Sequence, residues 1–184
     1  MKILIVDLET TGFQNDNGKI VEIGLVVLDL ETGNKTVLLD VTCREAGMTA
    51  NDRSAWIFKN SSLTVESVRN AQDLSEIAPL VQRLIDLYPD GITAYNRNFD
   101  INFLQSRGFT FPKLLPCPMI LCTSICKIPQ KNGRGGYKFP KAQEAYDYFF
   151  PNSGFIEEHR GASDCLMEAS IVHQLYKIGI FKID

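Results

Sequence analysis

Asp7 and Glu9 stand two residues apart at the end of the apolar run Ile3-Leu4-Ile5-Val6. In a strand, alternation puts both carboxylates on one face and turns Leu8 away. A pair of this kind at a sheet rim can share hard cations that prefer oxygen ligands. Asp100 follows Asn96-Arg97-Asn98-Phe99 at a strand-to-helix junction, and Asp164 lies in the last helical segment beside its apolar stripe. Each is weak alone: Asp-x-Glu is common, Asp100 reads equally as a helix cap, and Asp164 as a surface residue. A carboxylate bordering a packed face is nevertheless unusual without a partner, because uncompensated burial is costly. His159 precedes Asp164 by five residues and can reach the same site from the entry segment. A group that titrates near neutrality is useful there as a general base. His173, nine residues beyond Asp164, falls about 180° around the helix and reads as a solvated surface histidine.

Positioning these groups requires strands first and helices after. Residues 2–8 form a buried strand ended by Thr10-Thr11-Gly12, Ile20 to Leu28 a second, and Thr36 to Thr42 its return after the turn Glu31-Thr32-Gly33-Asn34. Residues 43–73 are polar and irregular, with a short helix near Val65 to Ala71. Leu80, Val81, Leu84, Ile85 and Tyr88 recur at helical spacing, with Pro79 tolerable only in the first turn. Ile92 to Tyr95 reads as a strand and Asp100 to Arg107 as a helix stopped by Gly108. Gly133-Arg134-Gly135-Gly136 reads as a mobile loop and Lys141 to Phe150 as a helix. The last helix, Ala162 to Lys177, has its stripe at Cys165, Ala169, Val172 and Tyr176. This order predicts an α/β fold, a mixed sheet of antiparallel meander plus parallel strands flanked by helices. With no repeat or linker, the 184 residues are read as one domain.

Composition fits an ordinary globular protein, 45% hydrophobic and 22% charged. The apolar run after Lys2 is too short for a signal peptide or a membrane span, so a cytoplasmic protein with no membrane partner is expected. The net charge of −3 argues weakly against a protein that simply coats nucleic acid. Lys127, Lys131, Arg134, Lys138 and Lys141, with no acid among them, form a local basic stretch that reads as a strand-tracking loop or a solvated one. Cys117, Cys122 and Cys126 have spacing tolerable for zinc but no fourth ligand nearby, and read as half-buried thiols.

Asp7-Leu8-Glu9-Thr10-Thr11-Gly12, Asn96 to Asp100, and His159 followed by Asp164 resemble the three motifs of the DEDDh exonuclease family. That group includes polymerase proofreading subunits, ribonuclease T and exonuclease X. Five specified residues in three ordered contexts, spanning residues 4 to about 176, are far more specific than any one motif. The resemblance implies a ribonuclease H-like fold, two Mg²⁺ or Mn²⁺ ions, and release of 5′-nucleotides from a 3′ end. It makes Asp7, Glu9, Asp100 and Asp164 metal ligands and His159 the base. One ion would activate the attacking water, from which His159 takes the proton, and the other would stabilise the leaving 3′-oxygen. It also places Thr10 near the terminal hydroxyl, Leu63 against the end base, and Asn96 and Phe99 beside the terminal sugar. The chain departs from many members at Tyr95, where they carry His, at Gly161, where they carry Ala, and at Ser61-Ser62, where His-Gly often precedes the apolar wedge.

Single-stranded DNA 3′ ends are the expected substrate. An exoribonuclease is the alternative, and a non-catalytic nucleic-acid-binding module or a Ca²⁺-binding domain are rivals of other classes. DNA–RNA preference, a polymerase partner and homodimerisation stay open at this level.

Overall fold

The computed structural model describes residues 1–131 and 135–183. Strand β1 (Lys2–Thr10) is buried on both sides along Ile3, Leu4, Ile5 and Val6, which makes it central. It pairs antiparallel with β2 (Ile20–Asp29), and β2 pairs antiparallel with β3 (Lys35–Arg44). The short strands β4 (Gln72–Asp73) and β5 (Ile92–Thr93) run parallel to β3 and β1, giving the order β4-β3-β2-β1-β5. The mixed sheet is therefore the expected one, with the meander continued by parallel strands at both edges.

Eight α-helices are described: α1 (Ala50–Arg53), α2 (Ile57–Asn60), α3 (Val65–Asn70), α4 (Leu74–Asp86), α5 (Arg97–Ser106), α6 (Pro118–Cys126), α7 (Ala142–Phe149) and α8 (Gly161–Lys177). The residues of β1 that alternate sides build two cores. Leu4, Val6 and Leu8 pack with Ile77, Val81 and Ile85 of α4 and with Ile101 and Leu104 of α5. Ile3 and Ile5 pack on the other face with Cys165, Ala169 and Val172 of α8. Asp7 and Glu9 continue this second face beyond its apolar part.

Two differences from the sequence reading have simple causes. Helix α4 begins at Leu74, so Pro79 lies in its interior rather than its first turn. Asp73 starts the helix by accepting the Ser75 N–H (3.0 Å), and Pro79 stands on the exposed side of the helix, where the amide it lacks costs least. The segment from Pro118 to Cys126 is helical although no helix was expected there; apolar almost all round, it shows little of the polar–apolar alternation that marks a surface helix. No helix among the described residues is long and apolar enough to cross a membrane.

Candidate active site

Where the apolar part of β1 ends, Asp7 faces Gly24 of β2 and Glu9 faces Glu22. The missing side chain at Gly24 lets the start of α8 come down onto the sheet. A Cβ built there would lie 2.2 Å from the carbonyl carbon of Gly161, which no packing tolerates. This approach seats Asp164, 3% exposed, above the β1 pair, and the N–H groups of Glu158 (3.2 Å) and Arg160 (3.3 Å) donate to its two oxygens. Asp100 is 4% exposed in the first turn of α5. It does not cap the helix, since Asn96 holds that position; its Oδ1 instead accepts the N–H of Leu8 at 3.1 Å, tying α5 to β1.

His159 stands just before α8 with a left-handed φ of 54°, strained for a non-glycine residue. Two contacts hold it. The Trp56 ring meets the imidazole edge to face at 4.7 Å between centroids. Its neighbour Arg160 is clamped by the fully buried Glu22, through Nη2 at 2.6 Å and Nε at 3.0 Å, and Glu22 also accepts the Gly161 N–H at 2.8 Å. Ligand atoms of Glu9, His159 and Asp164 lie within 4.8 Å of one another.

Burial and mutual repulsion penalise charge on these carboxylates. Burial, then Asp164 and Glu22, push Glu9 up to about 9. Asp100 rises to about 7 through burial, against the opposing Leu8 N–H, and Asp164 to about 7 through burial and Glu157. Asp7 is held well above the ordinary carboxylate range, by burial first and then by Glu168, Glu9, Asp100 and Asp164. Its Oδ2 is buried without a hydrogen-bond partner among the described residues. An orphaned carboxylate oxygen among converging acids is what a hard divalent cation relieves, so these residues fit such ions.

A cleft of about 700 Å³ opens over the site and is lined by Asp7, Asp100, His159, Asn96, Phe99 and Trp56, among others. Asn96 and Phe99 both line it. Thr10 sits at the strand end with its hydroxyl donating to the Gly12 carbonyl (2.9 Å). Leu63 is not brought to the cleft: it is 3% exposed in a small core with Val21, Ala55, Ile57 and Val68. The large apolar side chain that reaches the cleft from this region is Trp56, 58% exposed. His173 is not simply solvated, because its ring lies against Gly33 in the β2–β3 turn, and burial with nearby Lys177 lowers its pKa.

Sequence reasoning missed Glu168. It lies one turn beyond Asp164, 5% exposed, lines the cleft and accepts the Tyr95 N–H at 3.1 Å. A glutamate in an apolar stripe, four residues from a suspected ligand, was the available signal. Tyr95, the departure from the family pattern, closes this corner by donating its hydroxyl toward the carbonyls of Pro140 (3.1 Å) and Lys141 (3.2 Å). In the basic stretch Lys138 pairs with Glu144 and Lys141 lines the cleft, while Gly133 and Arg134 of the expected loop lie outside the described residues.

A family model described as RNase_T exonuclease matches residues 4–172. No curated protein matches the chain by sequence. Among solved structures, the fold is similar to that of a 3′-exonuclease described as recognising the 3′ end of the histone mRNA stem-loop, with TM-score 0.73 at 16% identity over 100% of this chain and 85% of that one. The nuclease domain of 3′hExo, described as a DEDDh family member bound to rAMP, gives TM-score 0.70 at 15% identity, covering 100% of this chain and 96% of that domain. A full-length 3′-exonuclease gives 0.72 at 17%, with 100% of this chain matching 63% of that longer one.

Proposed function

We propose a specific chemistry for this chain, which belongs to the exonuclease family: 3′–5′ removal of nucleoside 5′-monophosphates from single-stranded nucleic acid, with the whole 184-residue sequence acting as one exonuclease domain. The observation that carries this reading is the convergence of Asp7, Glu9, Asp100 and Asp164, from three distant parts of the chain, around a buried Asp7 oxygen that has no partner among the described residues. Asp7, Glu9, Asp100 and Asp164 would hold two divalent ions, Mg²⁺ or Mn²⁺, directly or through water. When bound, such ions stabilise negative charge on the attacking and leaving oxygens of an in-line displacement.

The remaining work falls to the protein's own side chains. His159 takes a proton from the water that attacks phosphorus, as the bond to the leaving 3′-oxygen breaks and that oxygen gains a proton. Its strained backbone, the Trp56 ring and the Glu22–Arg160 clamp fix the imidazole at the cleft wall. Trp56, rather than Leu63, offers an exposed aromatic face for the terminal base. Asn96 and Phe99 border the terminal sugar, and Lys141 adds positive charge on the far wall.

DNA ends are the substrate expected from the sequence. Two of the similar structures involve RNA chemistry, an mRNA stem-loop for one and bound rAMP for the other, and favour RNA 3′ ends as a second reading. The test is hydrolysis of both polymers in Mn²⁺ by wild type, Asp7→Ala and Asp164→Ala. Turnover should vanish in either variant while the fold persists, and should stop in excess chelator. Full activity in chelator would remove the metal site from the mechanism.

A further inference from the structure

A second cleft, about 470 Å³, opens where β3 ends, lined by Arg44, Arg53 and Arg69 with Met48 and Val65 supplying apolar wall. The three guanidiniums come from β3, α1 and α3, and all three residues are exposed. Two carboxylates also border the cleft; Glu45 is engaged outside it, and Asp73 is shared between the start of α4 and Arg44. Glu45 accepts two bonds of 3.0 Å from Arg107 and one of 3.1 Å from the Ile20 N–H. Asp73 accepts from the N–H and hydroxyl of Ser75 and lies 3.9 Å from Arg44. Arg53 and Arg69 form no ion pair among the described residues. The cleft is cationic on a chain whose net charge is −3.

Strand register fixes its place relative to the acidic site. Glu9 pairs with Glu22 and Glu22 with Thr42, so these three share a face, and Arg44, two residues past Thr42, shares it too. Two strand spacings across and two residues along put the Arg44 backbone about 12 Å from that of Glu9. Arg53 of α1 lines the second cleft, and Trp56, three residues on, lines the first.

We propose that the arginine cleft binds backbone phosphates of a single strand whose 3′ end lies in the acidic cleft, a few nucleotides upstream of that end. This rests on the exonuclease reading above. The planar guanidinium fork matches phosphate oxygens, and apolar wall beside cations suits a nucleotide chain. Contacts of this type position a strand without reading its sequence, so DNA and RNA should both engage them.

The test is binding of 5′-fluorescein-labelled DNA and RNA decamers, and of dinucleotides, followed by anisotropy in Ca²⁺ over a salt series. The proteins are wild type, the double variant Arg53→Glu with Arg69→Glu, and Arg83→Glu on α4 as a charge control; hydrolysis in Mn²⁺ is measured separately. The double variant should lose about tenfold or more of the decamer's affinity advantage over the dinucleotide. The slope of log affinity against log salt should become shallower by about 1.4, roughly 0.7 for each phosphate no longer neutralised. Arg83→Glu should move neither quantity, and thermal midpoints should show all variants folded. An unchanged advantage and slope in the double variant, or an equal loss in Arg83→Glu, would overturn the assignment. Weakened decamer binding in the double variant, with no hydrolysis by wild type, would keep the cleft and reject the exonuclease reading.

Discussion

Gly24 and Gly161 meet backbone to backbone, and a Cβ on Gly161 would fall 2.7 Å from the Gly24 nitrogen. This crossing is what lets the first turn of α8 carry Asp164 down to the carboxylates of β1. The expected result of Gly24→Ala or Gly161→Ala is overpacking that costs about 1–3 kcal/mol and lifts Asp164 from the site. Urea unfolding and turnover check this together. A variant with wild-type stability and turnover would show that the close approach is dispensable.

Without metal, the carboxylate cluster should make stability depend on pH in an unusual direction. These acids bind protons more tightly folded than unfolded, titrating near 4 when unfolded and about 7 for Asp100 and Asp164 and about 9 for Glu9 when folded. Stability is then full at the acid end of that window and is lost as pH rises through the folded values. Thermal midpoints in chelator should fall between pH 5 and 9, and Mn²⁺ should recover most of the loss. Asp7→Asn, which takes one of the mutually repelling acids out of the titration, should make that fall in chelator smaller. A midpoint that climbs with pH in chelator would contradict the electrostatic account.

The sheet and most helices were legible because β1 and β2, buried on both faces, read as near-continuous apolar runs, and burial imposes a helical repeat on α4 and α8. The metal-site carboxylates were legible as a motif, yet their physics was not. Asp100 looked like a helix cap because its real partner, the Leu8 N–H, lies 92 residues away. Leu63 and Trp56 could not be ranked from sequence, since both are large apolar residues in an irregular region and only packing decides which is buried. Glu168 was passed over for a similar reason: one acid within an apolar stripe gives no sign of whether a cleft opens above it.

Separating base from ligand is the purpose of His159→Ala. The imidazole lies within 4.8 Å of ligand atoms of Glu9 and Asp164, close enough to serve either role. If it is the base, the variant should bind Mn²⁺ in calorimetry as wild type does, lose at least about 100-fold in turnover, and lack the acid limb of the wild-type rate profile. A lost binding event would make His159 a ligand, and an unchanged acid limb would point to another base.

The most direct test of the whole account is a time course on 5′-labelled single-stranded DNA and RNA, each with a free or a blocked 3′ end, in Mn²⁺. The expected result is a ladder that shortens one nucleotide at a time from the free 3′ end, releases nucleoside 5′-monophosphates, and stalls on blocked ends. Immediate release of the labelled 5′ nucleotide, or efficient cutting of circular single strands, would contradict it.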